Sequence, residues 1–152
     1  MAKRRSQQQP FIRFLFLVYS GLMLWLLFGR SQGWIEGLSY WQMLRANVNL
    51  VPLLTIKNYL YVIIHRSNDS VLLHCIINLV GNVVMFIPVG YLIPRIWRKQ
   101  RKFSLFMITC IGLVFLVETM QLFTLLGSFD IDDLILNLLG MTIGYLICLL
   151  KK

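Results

Sequence analysis

Four long apolar blocks dominate the chain, and short polar stretches separate them. They cover residues 11–28, 71–94, 103–126 and 131–150. A transmembrane α-helix needs about 20 predominantly apolar residues, and a helix satisfies its backbone hydrogen bonds internally, as lipid requires. The pattern predicts an all-α fold: an integral membrane helical bundle with four transmembrane helices, forming a single domain over residues 1–152.

A shorter apolar stretch lies between the first two blocks, within residues 30–70. The run "VNLVPLLTI", Val48–Ile56, is too short to cross a bilayer, and Pro52 interrupts any helix through it. Aromatic residues that favour the lipid head-group level flank this run: Trp34, Tyr40, Trp41, Tyr59 and Tyr61. We expect the segment to lie on the outer leaflet, or to dip into it, as an amphipathic or re-entrant piece.

Basic residues mark one side of the predicted bundle. They occur before the first block, in "RIWRKQRK" between the second and third, and at Lys151 and Lys152. Loops rich in Lys and Arg stay on the cytoplasmic side. The sequence therefore predicts a multi-pass protein of the cell membrane with both termini cytoplasmic. No small-residue cleavage site follows the first block, which we interpret as an uncleaved anchor.

The composition supports a membrane protein and argues against a nucleic-acid partner. Hydrophobic residues make up 58% of the chain and charged residues only 14%, against about 25% charged in soluble domains. The net charge of +9 comes largely from residues flanking the blocks, without a basic groove carrying interleaved aromatics. The three cysteines lie inside apolar blocks without CxxC spacing, so we interpret them as apolar helix residues.

Polar side chains interrupt the last three blocks at one common depth. In the second block, His74, Asn78 and Asn82 share a helix face through their spacing of four residues. A carboxylate at the bilayer centre costs about 2.5–3.5 kcal/mol on insertion scales, so Glu118 needs a polar environment. With the predicted topology these residues meet near the outer face, and we expect a small cavity formed by Asn78, Asn82, Glu118, Gln121, Asp133 and Asn137.

The last block carries small and polar residues on one face. Asp133, Asn137, Gly140 and Gly144 are separated by four, three and four residues. A GxxxG pair such as Gly140 and Gly144 is typical of closely packed membrane helices. This pattern predicts that Asp133 and Asn137 face neighbouring helices, and it leaves homo-oligomerisation through the glycine pair open.

Structural explanations compete with a binding site at each position. Asp130, Asp132 and Asp133 could cap the fourth helix and oppose its dipole. Asn78 and Asn82 could bond neighbouring helices, at about 0.6 kcal/mol each. His74 is interpreted as a helix contact rather than a ligand. The chain has two histidines, no HExxH, no GxSxG and no P-loop, so neither zinc nor a recognised catalytic motif is expected.

Three stretches resemble the VanZ-like family of small bacterial membrane proteins: "NVNLVPLLTI", "NLVGNVVMFIPVGYLIP" and "VETMQLFTLLGSFDIDDLILNLLGMTIGY". The matching motif positions are Asn49, Pro52, Thr55, Asn78, Gly81, Asn82, Pro88, Gly90, Glu118, Gln121, Asp130, Asp133, Asn137, Gly140 and Gly144. Gly127 and Ser128 stand where the family has an arginine, and Leu53 where a phenylalanine is common. The resemblance implies low-level resistance to the glycopeptide teicoplanin, without an established mechanism.

Two hypotheses follow for this chain. In the first, an envelope protein without a cofactor binds membrane lipid, a cell-wall-precursor head group or a lipoglycopeptide, and the ligand-binding candidates are Asn49, Thr55, Asn78, Asn82, Glu118, Gln121, Asp130, Asp133 and Asn137. In the second, an enzyme acts on a lipid-linked pyrophosphate with Glu118 and Asp133 as acid–base groups or as ligands of a divalent cation. A transporter is disfavoured because the polar residues stop in the outer half.

Overall fold

The computed structural model describes residues 2–29, 37–65 and 69–150, with side chains from residue 9 onward. Expectations for Trp34, Lys151, Lys152 and the side chains of the basic N-terminus lie outside the described residues. Within them are α1 Ala2–Phe28, α2 Tyr40–Ala46, α3 Leu54–Ile64, α4 Asp69–Ile96, α5 Phe103–Thr124 and α6 Ile131–Leu150. A 3-10 turn at Arg98–Arg101 joins α4 to α5.

The four long helices confirm the predicted membrane bundle. Helices α1, α4, α5 and α6 are each long and apolar enough to cross a membrane. Helix α5 stops at Thr124, two residues before the predicted end of its block, because Leu125 adopts a left-handed conformation with φ 54°. Helix α4 continues through Pro88 and Pro94 to Ile96, since membrane helices tolerate proline better than soluble ones.

Helices α4 and α6 are in backbone contact, and glycines make this contact possible. A Cβ atom added at Gly140 would lie 2.1 Å from the Val83 carbonyl oxygen, and one at Gly144 would lie 2.0 Å from that of Ile87. On the α4 side of the same contact, a Cβ atom added at Gly90 would lie 2.0 Å from the Met141 carbonyl oxygen. The predicted close-packing face is therefore present.

The helix that covers the Gly140 and Gly144 face is α4 of the same chain. Homo-oligomerisation through this glycine pair stays an untested prediction.

Helix α5 packs against α4 and α6 through a stripe of side chains spaced four residues apart. Phe106, Cys110 and Val114 are fully buried, and Glu118 continues the stripe at 3% exposure. The Phe106 ring contacts the Tyr145 ring of α6 with centroids 4.5 Å apart. Spacing of three to four residues keeps side chains on one helix face, so the stripe that forms the apolar core also carries the acid.

The segment between α1 and α4 contains an element absent from the all-α expectation. Strand β1, Val48–Asn49, pairs in parallel with β2, Phe129–Asp130, which lies just before α6. Two-residue strands have no periodicity that a sequence pattern could reveal. Helix α3 follows Pro52, in agreement with the expected interruption of the run there. The pairing ties the predicted outer segment to the start of α6.

We predict that Gly140→Ala destabilises the bundle by about 1–3 kcal/mol, the usual cost of overpacking a close contact. The added methyl group must push the α4 backbone away, because its nearest atom is a carbonyl oxygen 2.1 Å distant. The measurement is the fraction of purified protein that stays monodisperse in detergent after heating.

Gly112→Ala on α5 is the matched control, because a Cβ atom there would meet nothing within 4 Å. Replacing glycine inside a helix at an open position stabilises it by roughly 0.5–1 kcal/mol. Equal melting of the two variants would contradict the close contact between α4 and α6.

Candidate functional site

A cavity of about 490 Å³ lies between α1, α4, α5 and α6, where α4 and α6 begin and α5 ends. Six of the residues predicted as ligand-binding line this cavity: Asn78, Asn82, Glu118, Gln121, Asp133 and Asn137. His74 and Ser128 add polar groups to the lining, and Leu26, Leu27 and Met85 contribute to its apolar part. The expected convergence of polar side chains is present, while the binding role of these residues stays a prediction.

One wall of the cavity is a hydrogen-bonded chain from α4 to α6. The Asn82 Nδ2 atom donates to Oδ1 of Asp133 at 2.6 Å and approaches Oδ1 of Asn78 at 3.4 Å. Asn82 lies two turns before Gly90, and Asp133 lies two turns before Gly140, so both belong to the faces at which the two helices touch. The amide of Asn82 thus holds the Asp133 carboxyl at the cavity.

A buried polar pair joins α5 to α6 one turn further along α6. Glu118 is 3% exposed and Asn137 is 2% exposed, and Asn137 Nδ2 lies 3.4 Å from Glu118 Oε1. Two further oxygens, Glu118 Oε2 and Asn137 Oδ1, are buried without a hydrogen-bond donor among the described residues. An unsatisfied buried acceptor costs about 1–3 kcal/mol. These oxygens can therefore accept hydrogen bonds from a molecule that enters the cavity.

Gln121 lines the same cavity, but its amide also has a structural partner. The Gln121 Nε2 atom donates to the Leu27 carbonyl oxygen at 3.0 Å. The last carbonyls of a helix have no partner within that helix, and Leu27 is one residue from the end of α1. Gln121 therefore joins α1 to α5 beside the cavity.

The remaining predicted binding residues form a separate cluster outside the cavity lining. Asn49 Nδ2 lies 3.2 and 3.3 Å from the two Asp130 carboxyl oxygens, and Thr55 Oγ1 donates to Asp130 Oδ2 at 2.6 Å. Asn49 Nδ2 also lies 2.9 Å from Thr55 Oγ1. These contacts fasten β1 and α3 to β2, so Asn49, Thr55 and Asp130 connect the outer segment to the bundle.

Capping explains two of the three aspartates, although one caps an unexpected helix. Asp130 Oδ1 accepts from the Asp132 backbone N–H at 2.8 Å, at the start of α6. Asp132 is fully buried and accepts from the backbone N–H groups of Leu53 at 2.5 Å and Ile56 at 3.1 Å. It therefore caps α3, whereas Asp133 bonds Asn82 instead of capping.

The role of Asp132 escaped the sequence analysis, yet the sequence contained a signal for it. Leu53 occupies the N-cap of α3 in a left-handed conformation and offers no side-chain acceptor. Helices normally begin with Ser, Thr, Asp or Asn at this position. An apolar N-cap next to Pro52 indicates that a distant acceptor must supply the cap.

His74 makes the expected helix contact and also faces the cavity. Its ring lies edge-on to Tyr59 of α3 with centroids 6.2 Å apart. Burial, followed by the negative charge of Asp133, raises the pKa of Tyr59 above its usual range. A tyrosine hydroxyl, with an ordinary pKa of about 10, is protonated at neutral pH in any case, and Tyr59 is thus a hydrogen-bond donor beside His74.

Among the described residues, no three His, Cys, Asp or Glu side chains converge in a way that could hold a metal ion. A divalent cation in the cavity would have Glu118 and Asp133 as its carboxyl ligands, with amide oxygens completing the set. Hard cations accept such oxygen donors, so the arrangement has room for this chemistry without being a dedicated metal centre.

Comparison with known proteins gives one match. The model of the family described as VanZ/LLP1 matches residues 16–152, which is nearly the whole chain. Neither the curated proteins nor the solved structures contain a match.

We predict that Asp132→Ala loosens the outer segment without unfolding the four long helices. Removing the acceptor leaves the first turn of α3 uncapped, and loss of a cap costs about 0.5–2 kcal/mol. Trypsin should then cleave after the exposed Lys57 of α3 several-fold faster, up to about tenfold. The measurement is the rate at which the peptide ending at Lys57 appears in a mass spectrum.

Asp69→Ala is the control, since this acid lies exposed in the first turn of α4. It likewise removes one acidic side chain from the first turn of a long helix. If both variants are cleaved at the rate of the parent protein, Asp132 does not stabilise α3.

Proposed function

The chain belongs to the VanZ/LLP1 family, and from that premise we propose that it is a bacterial envelope protein that binds a polar head group in the cavity between α1, α4, α5 and α6. The head group belongs to a membrane lipid, a cell-wall precursor or a lipoglycopeptide. By binding it, the protein contributes to resistance against glycopeptides such as teicoplanin.

The observation that carries this proposal is the pair of unpartnered oxygens on the cavity wall. Glu118 Oε2 and Asn137 Oδ1 are buried and lack donors among the described residues. Helix-packing contacts between polar residues normally satisfy both partners. A ligand that brings hydrogen-bond donors would satisfy both oxygens.

The lining also limits the kind of head group that fits. Glu118 and Asp133 are carboxyl groups, and the described lining residues include neither Lys nor Arg. A bare pyrophosphate would find no basic partner here, whereas protein sites for phosphates rely on Arg, Lys or metal ions. Hydroxyl, amide N–H or ammonium groups complement the site instead. We therefore infer that the sugar, peptide or amine portion of the ligand enters the cavity.

This recognition accounts for resistance through the predicted orientation of the chain. With both termini cytoplasmic, the cavity opens toward the outer leaflet, the side from which a glycopeptide approaches the cell wall. A protein that binds the lipoglycopeptide there, or the head group it recognises, lowers the amount of drug reaching its target. Such an effect requires binding and no bond cleavage, in line with a modest level of protection.

One observation favours the alternative of a membrane-embedded enzyme acting on a lipid-linked pyrophosphate. Glu118 and Asp133 line a single cavity, as an acid–base pair or two ligands of a divalent cation would. Bound Mg²⁺ or Mn²⁺ would supply the positive charge that the described lining lacks. This alternative requires that the protein convert a lipid-linked substrate and that the conversion depend on both carboxyl groups.

We predict that Glu118→Gln weakens head-group binding about tenfold or more while the protein still accumulates in the membrane. Leaving a buried hydrogen-bonding group without its partner costs about 1–3 kcal/mol, and the amide keeps the size of the side chain. The measurements are mass spectrometry of molecules retained by the purified protein and the teicoplanin sensitivity of cells expressing each variant. The parent protein should retain a molecule beyond bulk phospholipid.

Asp69→Asn is the matched control because it removes a carboxylate charge from the exposed start of α4, outside the cavity. Asp133→Asn should reduce retention as Glu118→Gln does. Retention of bulk phospholipid alone by the parent and both cavity variants would contradict a specific site. A lipid-linked substrate that accumulates on Glu118→Gln but is converted by the parent would favour the enzyme.

A further inference from the structure

A second cavity lies at the opposite end of the bundle, between α1, the end of α4 and the start of α5. Its volume is about 780 Å³, within the roughly 300–1,000 Å³ typical of small-molecule sites. Phe16, Ile93, Ile96, Leu105 and Leu113 form its apolar wall. Leu105 is 37% exposed and Leu113 is 40% exposed, so this wall is open sideways toward the surrounding lipid.

The polar rim of this cavity is basic. Trp97, Arg98 and Lys99 lie on it, where the apolar part of α4 gives way to the 3-10 turn. The Trp97 ring packs edge-on against Phe16 with centroids 5.6 Å apart. An aromatic residue at the boundary between apolar wall and basic rim is typical of the lipid head-group level.

The basic residues on the rim differ from their neighbours in having no partner. Arg95 lies over the Tyr91 ring at 4.4 Å, and Arg101 Nε donates to the Pro94 carbonyl oxygen at 3.4 Å. The side chains of Arg98 and Lys99 are exposed and form neither a hydrogen bond nor an ion pair with the described residues. The two basic groups on the cavity rim are thus available to bind an anion.

Gln100 adds an acceptor to the same rim. Its Nε2 atom donates to Thr109 Oγ1 at 2.9 Å, and this contact fixes the direction of the amide. Its Oε1 atom is buried without a hydrogen-bond partner among the described residues. The rim therefore combines two basic side chains, unpaired within the described ranges, with one fixed acceptor. This pattern complements an anionic phosphate carrying a nearby hydroxyl group.

We propose that this second cavity binds an anionic phospholipid with a hydroxyl-bearing head group, such as phosphatidylglycerol. The phosphodiester lies between Arg98 and Lys99, a head-group hydroxyl donates to Gln100 Oε1, and an acyl chain enters along Leu105 and Leu113. Basic clusters at the end of membrane helices attract anionic lipid head groups. The site is independent of the carboxyl-lined cavity, from which it differs in charge and position.

The test uses Trp97 as a reporter in nanodiscs, whose two leaflets have the same composition, so chain orientation does not affect the result. The other three tryptophans, Trp25, Trp34 and Trp41, are replaced by Phe. Brominated phosphatidylglycerol should quench Trp97 at roughly fivefold lower mole fraction than brominated phosphatidylcholine, since each basic group near the surface strengthens anionic-lipid binding severalfold. Arg98→Gln with Lys99→Gln should abolish this preference.

Lys102→Gln is the matched control: Lys102 is an exposed basic residue at the start of α5 and does not line the cavity. It should keep the preference for phosphatidylglycerol. Equal quenching by both lipids in the parent protein, or an unchanged preference after removal of Arg98 and Lys99, would overturn the proposal.

A second comparison separates the head-group hydroxyl from charge alone. Brominated phosphatidylmethanol has the same phosphodiester charge and no head-group hydroxyl, so phosphatidylglycerol should quench at about threefold lower mole fraction, as expected for one neutral hydrogen bond. Gln100→Leu should remove this difference, whereas Lys102→Gln, which lies outside the cavity lining, should retain it. Equal quenching by the two anionic lipids in the parent protein would overturn the role of Gln100.

Discussion

The close approach of α4 and α6 is the constraint on which the candidate site depends. Gly90, Gly140 and Gly144 let the two backbones touch, with space for no side chain between them. Only at this separation does the Asn82 amide reach the Asp133 carboxyl at 2.6 Å. In lipid, where helices gain little from burying apolar surface against each other, small residues and interhelical hydrogen bonds supply the association. The contact that holds the bundle together therefore also sets the width of the polar cavity.

Two acidic side chains hold segments of the fold together, and two others line the candidate site. Asp130 and Asp132 have their carboxyl oxygens bonded to the outer segment and to helix N-termini, where negative charge is stabilised by the helix dipole. Glu118 and Asp133 line the cavity instead. The site lined by Glu118 and Asp133 depends on Asp130 and Asp132, because these two residues hold β1 and α3 beside the start of α6.

The sequence predicted those features that repeat along one helix, and it missed those that join distant segments. Apolar length revealed the four spans, and spacings of three and four revealed the faces carrying Asn82, Asp133 and Gly140. The pairing of β1 with β2 and the cap that Asp132 gives to α3 connect residues about 80 positions apart. No local pattern encodes such a contact. Chain order alone also could not distinguish Asp130, which closes the outer segment, from Asp133, which faces the cavity.

Carboxyl and amide groups line the first cavity and basic groups lie on the rim of the second. The rule that orients membrane proteins explains why this difference suits their positions. Lys and Arg collect at the end of the bundle that is predicted to face the cytoplasm, where anionic lipid is abundant. The same residues that determine orientation are thus available to bind a phosphate there. At the other end, the described lining of the first cavity has carboxyl and amide groups without Lys or Arg. An anionic head group would therefore find no basic partner there. Because the basic groups lie at the opposite end of the bundle, the carboxyl-lined cavity would not bind anionic head groups and would stay accessible to a ligand rich in hydrogen-bond donors.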